Sequence, residues 1–215
     1  MLTPEMFNVP DHPIESVESG IIKELVADNR NFKTGYMAHE AWKAFQKGLT
    51  VYCNCPVWTN QPHILNFPHV DYYPFDLYRM DLYDCFVMTD QGEQFMDARR
   101  CTDDEILDIG YFNYQVPKRK IRWCFDTVRH KNIDPRIRLN PQFYVKTFRI
   151  PSDPRLPLQA VKVKILPRDS ARETVYYITQ PRKLFPLWNS GVRVEKKPPS
   201  LSRIGEQQLA RGLVG

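Results

Sequence analysis

Four prolines recur every six residues, at Pro56, Pro62, Pro68 and Pro74. Each lacks an amide donor and fixes its own φ, so neither a helix nor an interior strand runs through this stretch. An extended, polyproline-like path over residues 51–75 is the simplest reading. His63, Phe67, His69, Tyr72 and Tyr73 are then free to pack elsewhere. Prolines continue to punctuate the rest of the chain, 18 of them against 9 glycines in 215 residues. A composition 42% apolar and 26% charged still belongs to a folded protein rather than a disordered one.

Between the breakers, the spacing of apolar side chains predicts short elements. Ile14, Val17, Ile21 and Leu25 recur every three or four residues behind Pro13, which predicts a helix over residues 11–29 weakened by Gly20. Ala38, Ala41, Trp42 and Phe45 predict a second helix over 37–46, with Gly48 placed to end it. Thr102 and Glu105 form a capping box for a helix over 102–109. Ile121, Cys124, Phe125 and Val128 then suggest another helix from Pro117 to about residue 130. Three runs rich in Val, Ile, Phe and Tyr, at 143–150, 160–166 and 174–179, predict a small antiparallel sheet. In the middle run Val161, Val163 and Ile165 alternate with Lys162 and Lys164, one apolar and one basic face. Past Gln180 the chain reads as an extended basic arm, closing in a short helix near 201–209. The expected fold is therefore α+β: a small helical body with a short antiparallel sheet, long Pro-rich extended segments and a basic C-terminal arm. Four regions make one structural unit: an acidic helical region (1–50), a Pro-spaced aromatic segment (51–100), helices with the small sheet (101–180) and the arm (181–215).

Charge is divided unequally along this plan. Residues 1–110 hold 8 basic and 18 acidic side chains, residues 111–215 hold 22 and 7, and the overall charge of +5 conceals the contrast. Such polarity speaks of partners and surfaces. Lys118, Arg119, Lys120, Arg122, Arg129, Lys131, Arg136 and Arg138 crowd one stretch. The first of them sit where a helix is expected to begin, and there the dipole disfavours cations. An anionic partner accounts for the cluster: RNA phosphate, lipid head groups or an acidic protein. In the arm, Phe185, Leu187 and Trp188 are costly to leave in water, about 1.5–3 kcal/mol each, and are expected to dock on this protein or a partner.

Other residue types give weaker leads. Cys53, Cys55, His63 and His69 are candidate zinc ligands, yet C-x-C is a poor chelating start and no second knuckle follows. Five cysteines in a chain of this size suggest reduced thiols in an intracellular compartment. Residues 1–30 read as neither a secretory nor a transit peptide, and no apolar run approaches the roughly 20 residues that cross a bilayer. The sequence holds no Gly-rich phosphate loop, G-x-S-x-G, H-E-x-x-H or dinucleotide fingerprint.

On this reading no catalytic residue, cofactor or metal is expected. The chain is a non-catalytic accessory subunit of a large intracellular assembly, its partners other protein subunits, with anionic lipid head groups or rRNA meeting its basic half. A mitochondrial respiratory-chain or ATP synthase complex, peripheral to the inner membrane, is the first expectation. A mitochondrial ribosomal protein is the second, and a zinc module or enzyme the third.

Overall fold

In a computed structural model the chain is described over residues 20–54 and 64–189. Its backbone is an eight-stranded mixed sheet. In chain order the elements are β1 (Ile21–Val26), α1 (Lys33–Gln46), β2 (Thr50–Asn54), β3 (Val70–Tyr72), β4 (Cys85–Thr89), α2 (Asp104–Gln115), β5 (Arg122–Thr127), α3 (Pro135–Arg138), β6 (Phe143–Ile150), β7 (Ala160–Pro167) and β8 (Thr174–Ile178). The strands lie in the order β3-β2-β4-β5-β1-β6-β7-β8. Every pairing from β3 to β6 is parallel, and only β6-β7 and β7-β8 are antiparallel. A short antiparallel sheet on a helical body is therefore the wrong architecture: the predicted three-strand meander is one flank of a much larger parallel sheet.

Two predicted helices are strands. Residues 21–26, the described end of the helix expected over 11–29, form β1 in the middle of the sheet, paired with β5 on one side and β6 on the other. Residues 122–127, expected as helix, form β5, and its Trp123, Cys124, Phe125, Asp126 and Thr127 are all buried. Both misreadings have one cause. A parallel strand covered on both faces has no polar side, so its apolar residues follow no period of two and mimic helical spacing by chance. β5 shows the two faces. Cys124 lies toward Tyr36 and Glu40 of α1, whereas Trp123 meets Phe112 of α2 edge-on with ring centres 5.2 Å apart. α1 and α2 thus cover opposite faces of the sheet.

The Pro-spaced segment also divides. Residues 51–54 belong to β2, Pro56 and Pro62 lie outside the described residues, and Pro68 and Pro74 flank the short edge strand β3. The last described residues form a 3-10 helix, Pro181–Leu187, rather than an open arm. Asn66 N donates to Leu187 O at 2.9 Å and Asn189 N to Ile64 O at 2.8 Å, so this segment is strapped to the chain leaving the undescribed stretch 55–63. No helix among the described residues is long and apolar enough to cross a membrane.

One buried acid sits in the central strand. Glu24 is fully buried, and its carboxyl lies 2.8 Å from His130 Nδ1. Burial pushes the Glu24 pKa up to about 8, opposed by Arg138, while burial and the same Arg138 push His130 down. At neutral pH the carboxyl keeps its proton and donates it to the neutral imidazole, whose ring also meets Tyr144 edge-on at 5.6 Å. Because the folded pKa is raised, the stability this group contributes is fully present below about 4.5 and is lost as pH rises to about 8. Glu24→Gln keeps the shape and abolishes the titration. Its melting temperature should exceed that of the wild type by several degrees above pH 8 and fall less steeply with pH, each kcal/mol being worth about 2–4 °C at this size. A variant that melts lower at every pH would contradict this assignment.

Candidate functional site

The parallel strands β1 to β6 all point their carboxyl ends to one edge. Because β1 is followed by α1 crossing toward β2 on one side, while β6 joins β1 on the other, that edge contains a topological switch point. In open parallel sheets ligands bind there. A cleft of about 610 Å³ opens at this place, lined from the loop after β1 and the first turn of α1, from Asp90, Gln91 and Glu93 after β4, from Asp126, Thr127 and Val128 at the end of β5, and from Arg149 at the end of β6.

The loop after β1 runs into the first turn of α1 as the sequence Ala27-Asp28-Asn29-Arg30-Asn31-Phe32-Lys33-Thr34. It has the length of the phosphate-cradling pattern G-x-x-x-x-G-K-[ST] and ends on the same Lys-Thr pair, with Ala27 and Phe32 standing in the two glycine positions. The backbone keeps the conformation that glycine would serve. Phe32 and Arg30 both lie in the left-handed region, each with φ 68°, and Phe32 forms the boundary of α1. Placing an L-residue there costs roughly 1–2 kcal/mol. Packing offsets it for Phe32, whose ring meets Trp188 edge-on at 5.3 Å.

Two carboxylates are buried beneath this loop. Thr34 Oγ1 donates to Asp90 Oδ1 at 2.9 Å, and Lys33 Nζ lies 3.1 Å from Asp126 Oδ2. Asn54, at the end of β2, fixes the acid from the other side: Asp90 N donates to its Oδ1 at 2.6 Å and its Nδ2 donates to Asp90 O at 2.9 Å. Asp126 in turn accepts from the backbone N–H of Gln91. Gly92 permits that close approach, since a Cβ there would come 2.8 Å from Asp126 O and 2.5 Å from Met96 Cε. Burial raises the pKa of both acids; at Asp90 the charge of Asp126 adds to it, while Thr34 and Lys33 act against it. Glu93 faces them across the cleft mouth, held by Thr127 Oγ1 and Val128 N at 3.2 Å each.

This arrangement suits a phosphate chain with a hard cation. A Lys and a row of helix N-terminal amides attract phosphate oxygens, and a hydroxyl beside a carboxylate is the donor set Mg²⁺ accepts when phosphates complete its shell. The residues present therefore fit Mg²⁺ at Thr34 and Asp90.

The residues singled out from sequence lie elsewhere. Lys118, Arg119 and Lys120 are in the turn after α2, beyond the helix's C-terminal end, where the dipole favours cations rather than opposing them. Arg119 reaches Met80 O at 3.2 Å and lies over the Tyr83 ring at 5.2 Å. Arg122 opens β5, while Arg129, Lys131, Arg136 and Arg138 lie past its other end, about 20 Å away at the rise of a six-residue strand. Arg136 is paired with the buried Asp134 at 2.9 Å, and Arg138 donates to Lys131 O at 3.2 Å. Of the possible zinc ligands, Cys53 is a buried thiol in β2 and His69 pairs with Asp71 at 3.2 Å; Cys55 and His63 lie outside the described residues. Leu187 is buried in the chain's own core, Trp188 is half-buried against Phe32, and Phe185 is 45% exposed. None of the cleft residues Lys33, Thr34, Asp90 or Glu93 was singled out in the sequence. The available signal was Lys-Thr at the start of an amphipathic helix, followed some fifty residues later by the apolar run CFVMT ending on Asp90.

Scans of family models and of curated proteins find no match to the sequence. Solved structures resemble the fold. The N-terminal domain of zonular occludens toxin from Neisseria meningitidis matches with a TM-score of 0.59 at 13% identity, over 80% of this chain and 100% of that one. The genome packaging NTPase B204 of Sulfolobus turreted icosahedral virus 2, in complex with ATP-gammaS, matches at 0.53 and 11% identity over 74% and 98%. A third structure, of an isolated ATPase domain, matches at 0.51 and 8% identity over 83% and 86%. The chain shares its fold with these structures, two of which are described as an NTPase and an ATPase domain. These likenesses overturn the expectation of a non-catalytic accessory subunit of a respiratory-chain, ATP synthase or ribosomal particle, which rested on composition and on missing motifs.

If Asn54 positions Asp90, Asn54→Ala strands two buried backbone groups. Chemical unfolding should show a loss of about 1–3 kcal/mol, and an unchanged midpoint would remove Asn54 from this role.

Proposed function

We propose that this protein binds a nucleoside triphosphate with Mg²⁺ at the Ala27–Thr34 loop and hydrolyses it. The observation that carries the reading is Thr34 bonded to Asp90 at 2.9 Å beside Lys33, at the carboxyl edge of a parallel sheet, behind a loop of phosphate-cradle length. Two of the solved structures sharing the fold, the packaging NTPase and the isolated ATPase domain, support it.

Each residue then has a task. The loop and the first turn of α1 present amide donors to the phosphates, and Lys33 exchanges its contact with Asp126 for phosphate oxygens, a short movement for a flexible ammonium stem. Thr34 and Asp90 would hold the Mg²⁺, which would supply positive charge against the charge that develops on the phosphate. Glu93 is the carboxylate at the open side of the cleft, placed to accept a hydrogen bond from the attacking water and to take its proton. Asp126 holds Lys33 at the cleft through their 3.1 Å contact until phosphate takes over the ammonium. Asp90 must be ionised to hold the cation, and its pKa is raised to about 7 by burial and by Asp126. Nucleotide affinity should therefore rise with pH through that region.

Steady-state phosphate release by the full chain with Mg-ATP tests this directly. Lys33→Ala should abolish measurable turnover and weaken nucleotide binding at least tenfold. Glu93→Gln should retain binding and lose about 10²-fold or more in kcat, as removal of a general base does. Wild-type turnover that persists in Lys33→Ala would reject the assignment.

A further inference from the structure

One end of the cleft has no part in the chemistry above. Lys33, Thr34, Asp90 and Glu93 gather at the end where the terminal phosphate must lie for water to reach it. The nucleoside therefore leaves toward the other end of the cleft. That end is walled by Phe32, Leu158, Phe185 and Trp188, with Arg30 and Arg149 at its rim. The rings form a fixed cluster: Phe185 and Trp188 are 5.4 Å apart and nearly perpendicular at 85°, and Phe32 lies 6.4 Å from Phe185. Gly35 is what lets the indole sit down on α1, since a Cβ at that position would come within 2.7 Å of Trp188 Cη2. The strap hydrogen bonds of Leu187 and Asn189 hold the pair from behind, and the buried Leu184 and Leu187 anchor it in the core.

Resting on the triphosphatase reading, we propose that Phe185 and Trp188 are the platform on which the nucleobase stacks, and that the enzyme accepts nucleoside triphosphates with little regard for the base. An aromatic face attracts every base, since all have a π-face. Discrimination requires fixed donors and acceptors at the base edges, because rejecting a wrong base depends on leaving buried polar groups unpaired. The polar groups at this end are the side chains of Asn29 and Arg30, both exposed, and Arg149, whose guanidinium already donates to Leu156 O at 2.7 Å. They line a rim and offer a positive field, with no buried edge-reading pair among the described residues.

Titration calorimetry of the full chain with Mg²⁺ and, in turn, ATP, GTP, CTP, UTP and inorganic tripolyphosphate tests the proposal. The four nucleotides should bind within about tenfold of one another, and all more tightly than tripolyphosphate. Phe185→Ala, at an exposed position where folding is not at risk, and Trp188→Leu should each weaken every nucleotide by about tenfold, the scale of one lost stacking contact, and leave tripolyphosphate unchanged. Trp188→Phe should restore most of the loss. A preference above about a hundredfold for one base would overturn the proposal. So would variants that weaken tripolyphosphate as much as nucleotides, because the aromatic strap would then merely shape the loop. If the wild type binds neither tripolyphosphate nor nucleotide, the triphosphatase reading fails and the platform with it; tripolyphosphate binding without tighter nucleotide binding leaves that reading intact and refutes the platform alone.

Discussion

Two carboxylates buried side by side at the ends of β4 and β5 are the constraint around which this edge of the molecule is arranged. Asp90 is 6% exposed and Asp126 3%. Two like charges in a dry site repel and lack hydration, so each must be protonated, paired or hydrogen-bonded. Every element at the edge contributes to that requirement: Asn54 from β2, the Gln91 amide from the β4 loop, and Lys33 with Thr34 from α1. The Lys-Thr pair is held at the mouth of the cleft because the acids need it there. The placing of Lys33 and Thr34 at the cleft thus follows from charge balance in the protein itself.

The substituted glycines fit the same logic. Glycine in a phosphate loop serves the positive φ and the close approach of backbone to ligand. Here Arg30 and Phe32 adopt the positive φ without being glycine, and Phe32 returns part of that strain through its contact with Trp188. The Phe32–Trp188 contact links the loop after β1 to the C-terminal segment, so that one aromatic cluster joins the two ends of the described chain.

How much of this was legible in the sequence varied with how many faces of an element meet water. The meander β6-β7-β8 was readable almost to the residue because it is half solvated: Val161, Val163 and Ile165 are buried while Lys162 and Lys164 turn outward. α1 was readable because Ala38, Ala41, Trp42 and Phe45 keep helical spacing, even though every residue from Gly35 to Trp42 is buried. β1 and β5 were not, since Ile21, Ile22 and Leu25 in one and Trp123, Cys124 and Phe125 in the other are buried on both sides, and their spacing resembles a helix. Losing β1 and β5 lost the parallel sheet, and with it the edge where the site lies. The basic residues drew attention because charge is visible in a sequence, whereas the working charges here are few, buried and distant in the chain. Lys33 and Asp90 become neighbours only through a topology that the misread strands concealed.

The proposed triphosphate binding at this edge requires Lys33 to leave Asp126 for a phosphate. A crystal structure of the full chain grown with Mg²⁺ and a non-hydrolysable nucleoside triphosphate analogue measures this most directly. It should show phosphates cradled by the loop after β1, the cation between them and the Thr34 and Asp90 side chains, and Lys33 Nζ moved from Asp126 onto phosphate oxygen. An empty loop at saturating analogue, with Lys33 still paired to Asp126, would contradict the triphosphatase reading.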